Sequence, residues 1–154
     1  QVAPVVAACL ADHRRLAETK QVALINQIDD GNLAIFGDDE SLRQILDNLV
    51  DNAIKYTSAG GEVAVAGRQT GETLVLEVRD TGIGIAEEHQ ERVFQRFYRV
   101  DKARSREMGG TGLGLAIVKH LCGAMGGAVV VESQPSEGSC FRVILPAAGS
   151  GRGD

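Results

Sequence analysis

Apolar and polar positions along the chain follow two rhythms, one near 3.6 residues and one of two. Across residues 5–19, Val6, Leu10, His13 and Ala17 return at near-helical spacing, which predicts a helix. Two short strand-like pieces follow, residues 22–28 and 33–36, around the turn signal Asp29, Asp30, Gly31, Asn32. A long helix is predicted over residues 39–56. Asp38 or Asp39 caps it, and Leu42, Ile45, Leu46, Leu49 and Ala53 form its buried stripe. Residues 62–68 and 73–79 then alternate as strands about a Thr70, Gly71, Glu72 turn. From Asp80 to Gly114 the rhythm breaks, apart from a short helical piece around residues 87–94. It resumes as a helix over residues 115–125, with Ile117, Val118, Leu121, Cys122 and Met125 on one stripe. Strands over residues 128–132 and 139–145 close the pattern. From Ala147 onward nothing remains to bury. A single domain is therefore expected over residues 1–147, with a tail at 148–154.

Composition narrows the function classes. The 154 residues are 44% hydrophobic and 24% charged, the balance of a folded globular domain. A net charge of −5 argues against a nucleic-acid partner. No apolar run is long enough to span a bilayer, so no direct membrane contact is expected. Cys9, Cys122 and Cys140 are odd in number and widely spaced, which fits a reducing compartment better than a disulfide framework or a zinc site. Glycine is enriched, at 19 residues, and its placement points to the chemistry.

Three constellations stand out. On the long helix, Asn48 and Asn52 are four apart and Lys55 lies on the same side. Counting 100° per residue from Asn48 puts Asn52 at about 40° and Lys55 at about −20°, beside an apolar stripe centred near about 120°. Asparagine is a poor helix former. The pair fits amide oxygens on a hard cation such as Mg²⁺, with a lysine for phosphate, or else a solvated helix face. Asp80, Thr81, Gly82, Ile83 and Gly84 follow directly on a strand. A carboxylate there can accept from an exocyclic amine while glycine backbone approaches a flat ring, or it can simply cap the next helix. Gly109, Gly110, Thr111, Gly112, Leu113, Gly114 and Leu115 run into a helix. Their N–H groups and the helix N-terminus suit a polyphosphate.

Familiar nucleotide loops do not match. The residues before the lysines are Thr19, Ile54, Asp101 and Val118, so no Walker A glycine–lysine pair exists. Glu87 and Ile117 stand where a dinucleotide fingerprint needs its third glycine. Between the glycine clusters, Arg96, Arg99, Lys102, Arg104 and Arg106 make a basic segment in an acidic chain, which reads as a lid over phosphates.

The order Asn48…Asn52-Ala53-Ile54-Lys55-Tyr56, then Asp80-x-Gly82-x-Gly84, then Phe94…Phe97-Tyr98-Arg99, then Gly110-Thr111-Gly112-Leu113-Gly114-Leu115 resembles the N, G1, F and G2 boxes of sensor histidine kinases. The resemblance runs from residue 5 to about residue 146. It implies an α/β fold, the two-layer sandwich shared with gyrase and heat-shock chaperone ATPases, in which helices cover one face of a mixed β-sheet. It implies ATP as ligand, Mg²⁺ on Asn52, and Asp80 on the adenine amine. Asn48, Lys55 and Arg99 are implied in catalysis. Tyr56, Gly82, Gly84, Ile85, Tyr98, Lys102, Gly110, Thr111, Gly112, Leu113, Gly114 and Leu115 are implied around the nucleotide, with residues 96–112 as the lid. Members often carry threonine where this chain has Cys140, which implies adenine contact through a thiol that hydrogen-bonds weakly. The implied partners are a histidine-containing dimerisation domain and, downstream, a response regulator. The implied setting is the cytoplasmic part of a membrane-anchored sensor. His13, His89 and His120 lie in no acceptor box, so the acceptor histidine is expected elsewhere.

Overall fold

One helix contributes more to the core than any other element. In the computed structural model, which describes residues 1–28, 31–98 and 113–148, α2 (Asp39–Lys55) buries Leu42, Ile45, Leu46, Leu49, Val50, Ala53 and Ile54. These positions repeat every three or four residues, so a single stripe meets the sheet and the neighbouring helices. Asp38 starts the helix. Its Oδ2 accepts the Ser41 N–H at 2.9 Å, which satisfies one orphan donor and holds the carboxyl below its ordinary range. At the other end Lys20, the last residue of α1 (Ala3–Lys20), donates from Nζ to the carbonyls of Ile54 (3.0 Å) and Lys55 (2.6 Å). A cation thus closes the negative end of α2.

The sheet has five strands: β1 (Ala23–Asn26), β2 (Glu62–Thr70), β3 (Thr73–Asp80), β4 (Ala128–Gln134) and β5 (Gly138–Pro146). Their spatial order is β1-β2-β3-β5-β4. β1 runs parallel to β2 and the other pairs are antiparallel, so the sheet is mixed. Side chains alternate between faces. Val63 and Val65, Leu74, Leu76 and Val78, and Phe141, Val143 and Leu145 all turn inward and are buried. They share one core with Val6 and Cys9 of α1, with α2, and with Val118 and Cys122 of α4 (Gly114–Ala124). Helices therefore cover one face, giving the expected two-layer α/β sandwich.

The outer face is polar at its centre. Glu77 meets Arg142 at 2.6 Å, Arg68 at 3.5 Å and Arg79 at 3.7 Å. Burial works against its charge, but the hydrogen bond from Arg142 and the three nearby cations prevail and hold the carboxyl below its usual range.

Two sequence expectations change. Residues 33–36 form no strand; Ile35 makes a single bridge to Ala147. Leu33 is buried because it plugs the core from a loop, where its carbonyl accepts the Val2 N–H at 2.9 Å. The chain past β5 is also tied down. Ala147 is 3% exposed and donates to the Glu72 carbonyl, and Ala148 donates to the Ala34 carbonyl, each at 2.9 Å. Residues 149–154 lie outside the described residues.

Because Leu46 is 1% exposed at the centre of this packing, Leu46→Ala is expected to cost about 2–5 kcal/mol. Urea unfolding followed by far-UV circular dichroism checks it. A loss below about 1 kcal/mol would contradict α2 as the centre of the core.

Candidate functional site

At one end of the inward-facing rows the side chains turn from apolar to polar. Val78, Phe141 and Val131 lie opposite one another on β3, β5 and β4, and the next inward row is Asp80, Ser139 and Ser133. Asp80 is 6% exposed. Its Oδ1 accepts the backbone N–H of Gly82 at 2.9 Å and of Ser139 at 3.2 Å. Its Oδ2 makes no hydrogen bond among the described residues. Since no buried side-chain oxygen there lacks a partner, Oδ2 opens to solvent as a fixed acceptor. Burial raises the Asp80 carboxyl above its ordinary pKa, and the two N–H donors partly oppose the rise.

Glycine is required beside this carboxylate. A Cβ on Gly82 would stand 2.3 Å from the Tyr56 carbonyl oxygen, so only glycine lets the loop meet the end of α2. There the Ile83 N–H donates to that same carbonyl at 3.2 Å. Gly84 has φ +74 and would place a Cβ 2.0 Å from the Gln134 carbonyl oxygen. Ile85 packs against the core and donates its N–H to Ser133 Oγ at 2.7 Å.

Ser133 is the junction that the sequence did not disclose. Its Oγ also pairs with Ser139 Oγ and donates to the Gly138 carbonyl, each at 2.8 Å. Gln90, at the end of the short α3 (Glu87–Gln90), donates to the carbonyls of Ile85 and Ser133. The loop after Asp80 is thus fastened to the β4–β5 hairpin from 48 residues away in sequence.

The long helix supplies the other wall. Asn48 and Asn52 are half-buried, and neither amide makes a hydrogen bond among the described residues. A Cβ on Gly114 would lie 3.2 Å from Asn48 Oδ1, so the first residue of α4 sits against the Asn48 amide. Unpartnered amide oxygens are hard donors, and the set fits Mg²⁺. Lys55 pairs with Asp51 one turn back, at 3.0 Å. Leu113 opens α4, its carbonyl accepting the Ile117 N–H at 2.9 Å, and Leu115 packs on the core. Tyr98 hydrogen-bonds His89 Nδ1 through its hydroxyl. Phe94, in the 3-10 turn Arg92–Phe94, stacks edge-on against Phe141.

Tyr56, at the end of α2, thus meets Gly82 and Ile83 of the loop after Asp80, Asn48 in the middle of α2 meets Gly114 of α4, and Asn52 lies between them on α2. Cys140 is not among them. It pairs across the ladder with Arg79 on the outer face, and its Sγ points to Glu77 Oε2 at 3.7 Å. Burial and the Glu77 carboxylate push its thiol pKa up. The strand alternation that turns Asp80 inward turns Cys140 outward, so Cys140 stands on the face of the sheet opposite Asp80. Ser139, one residue earlier, faces the Asp80 side. Arg99, Lys102, Gly110, Thr111 and Gly112 lie outside the described residues, as does all of the expected lid from residue 99 on.

Comparison with known proteins agrees with this architecture. The model of the family "Histidine kinase-, DNA gyrase B-, and HSP90-like ATPase" matches residues 37–149. The sensor-like histidine kinase SenX3 of Mycolicibacterium smegmatis is 43% identical over 142 residues, covering 92% of this chain and 37% of that protein. The sensor histidine kinase WalK of Bacillus subtilis is 40% identical over 139 residues, 89% of this chain and 23% of that protein. The chain therefore spans well under half of the curated relatives it matches. Full-length ShkA, solved in complex with AMPPNP, superposes with a TM-score of 0.85 at 32% identity, over 96% of this chain and 30% of that one. The mycobacterial sensor histidine kinase MprB gives 0.78 at 30% identity, over 94% of this chain and 93% of that one. With the family model covering most of its length, the chain belongs to the histidine kinase-, DNA gyrase B- and HSP90-like ATPase family, and the relatives SenX3, WalK and MprB are sensor histidine kinases.

Proposed function

We propose that this domain binds Mg·ATP and donates the γ-phosphoryl group to a histidine on a separate dimerisation domain, in two-component signalling. The observation that carries the reading is Asp80, a buried carboxylate with Oδ1 fixed by two backbone N–H groups and Oδ2 open to a donor. An adenine exocyclic amine is a donor of that kind. Ser139 and the backbone around Gly82 border the ring, in place of Cys140. Asn52, with Asn48 beside it, would hold Mg²⁺, which when bound neutralises charge on the phosphates. Lys55, Tyr56, Tyr98, Arg99 and Lys102 serve the ribose and phosphates. The N-terminal turn of α4 and the glycines before it offer N–H groups to the phosphate chain.

In transfer, the acceptor imidazole nitrogen forms a bond to the γ-phosphorus as the bond to the β–γ bridging oxygen breaks. ADP leaves with that oxygen. Positioning and charge stabilisation do most of the work in such a reaction. Asn48 supports transfer over hydrolysis, because an amide cannot take a proton from water as a carboxylate would. Two of the chain's own histidines are poorly placed as acceptors. His13 is half-buried in a polar cluster and His89 is engaged by Tyr98, while His120 stands exposed on α4. A downstream response regulator and a cytoplasmic setting complete the proposal. The kinship with sensor kinases supports both, and no described helix is long and apolar enough to cross a membrane.

Asp80→Asn is expected to weaken ATP binding at least tenfold, because it loses a charge-assisted acceptor worth about 1.5–3 kcal/mol. The fold should not suffer. A carboxyl whose pKa is raised by folding opposes the native state at any pH above that value, so removing the charge is neutral or stabilising at pH 7. Calorimetric ATP titration and thermal unfolding check both halves. A loss under threefold would remove Asp80 from the adenine site.

The chain by itself is expected to bind Mg·ATP without labelling itself or turning ATP over appreciably. With a cognate dimerisation domain it should phosphorylate that domain in trans. Transfer of radiolabelled γ-phosphate, with and without the acceptor, is the measurement. Acid-labile label on the chain alone would place the acceptor at His13, His89 or His120 and defeat the proposal.

A further inference from the structure

Away from the nucleotide end, α1 and α2 meet around a second group of reactive side chains. Cys9 and His13 are four residues apart on α1, so both project from one face toward α2. Asp47 faces them from α2. The Cys9 thiol, a His13 ring nitrogen and an Asp47 carboxylate oxygen all lie within 4.8 Å of one another. Individual separations are 3.8 Å from Cys9 Sγ to His13 Nδ1 and 3.8 Å from His13 Nδ1 to Asp47 Oδ1.

We propose that Cys9, His13 and Asp47 form a binding site for a transition-metal dication of the Zn²⁺ class, clipping α1 to the helix that carries Asn48 and Asn52. The geometry is close to what such an ion needs. Metal–ligand bonds of 2.0–2.3 Å in a tetrahedron put ligand atoms about 3.3–3.6 Å apart, about 0.2–0.5 Å closer than the two 3.8 Å separations to His13 Nδ1. Sulfur, imidazole and carboxylate together are the donor set of a borderline-soft ion rather than of Mg²⁺ or Ca²⁺.

The surrounding charges complete the case. Arg43 donates from Nε to Asp47 Oδ1 at 2.8 Å and pairs with Asp12 through its other end. It thereby orients the carboxylate from outside, as partners of metal ligands do. Burial and the Asp47 carboxylate push the Cys9 thiol up to about 12, so it is neutral in the metal-free chain; once a cation displaces its proton, three negative charges (Cys9, Asp47, Asp12) stand against Arg43 and the dication. Cys9 is buried and Asp47 is part-exposed, so the site is anchored inside and reachable from solvent, which can supply the fourth ligand. Binding breaks the Cys9 S–H bond and forms a sulfur–metal bond, releasing one proton to solvent. His13 Nδ1 donates to the Cys9 carbonyl oxygen at 2.9 Å in the metal-free chain, so ligation through Nδ1 gives up that hydrogen bond and leaves the ring proton on Nε2.

The test uses Co²⁺, which reports thiolate ligation through a sulfur-to-metal charge-transfer absorption, and Zn²⁺ as its displacer. Titration of the whole chain is expected to give the band at one Co²⁺ per chain, bleached by Zn²⁺. Cys9→Ala should abolish it, while Cys122→Ala and Cys140→Ala leave it intact. Asp47→Asn and His13→Gln, close in shape to the originals, should each weaken Co²⁺ at least tenfold with an unchanged circular dichroism spectrum. They also cover the case in which Cys9→Ala does not fold. No band in the wild type, a band that follows Cys122 or Cys140, or unaltered affinity in both conservative variants would overturn the site.

Discussion

The inner face of the sheet has to be covered, and the way it runs out defines the rest of this molecule. Three helices seal the apolar rows of β2, β3, β5 and β4 down to Val78, Phe141 and Val131. One row further the same face carries Asp80, Ser139 and Ser133. A carboxylate on that row has left bulk water without entering the core. Burial opposes its charge and nearby donors support it, and those donors are the backbone N–H groups of Gly82 and Ser139. The Gly82 N–H reaches Asp80 because the loop turns at a residue without a Cβ. The Ser139 N–H reaches it because β5 lies next to β3.

The two walls of the site are coupled through the backbone. Tyr56, the last residue of the long-helix motif, accepts from Ile83 in the loop that follows Asp80. Lys20 closes the same helix end from α1. The loop after Asp80 and the end of α2 are therefore fixed relative to one another. Such preorganisation lets positioning contribute to transfer. The strain that glycine relieves at Gly84 and the serine junction at Ser133 serve the same end, since both hold the loop against the β4–β5 hairpin.

Much of this was legible in the residues. The stripe from Leu42 to Ala53 located α2 and its polar border, because a single helix obeys one period, and the cap was read as Asp38 or Asp39, of which the structure uses Asp38. The strict alternation on either side of Gly71 located β2 and β3. What the pattern could not supply was pairing. Cys140 was assigned to the adenine side by its place in a motif, yet its facing depends on the register that sets it opposite Arg79. Ser133 acts through Ile85, 48 residues away, and no local signal marks it. Leu33 to Phe36 looked like a strand because apolar residues that plug a core from a loop read locally like a strand.

The central claim is that Asp80 recognises the amino group of adenine. It is tested most directly by comparing ATP with inosine triphosphate, which carries a carbonyl oxygen in place of that amine. Calorimetric titration of the wild-type chain in the presence of Mg²⁺ should give an affinity for ATP at least tenfold higher, since a carboxylate facing a carbonyl oxygen leaves two acceptors unpaired. The same comparison in Asp80→Asn should shrink the preference to about threefold or less, because the amide can donate to the inosine oxygen. Equal affinities for the two nucleotides in the wild type would contradict the account.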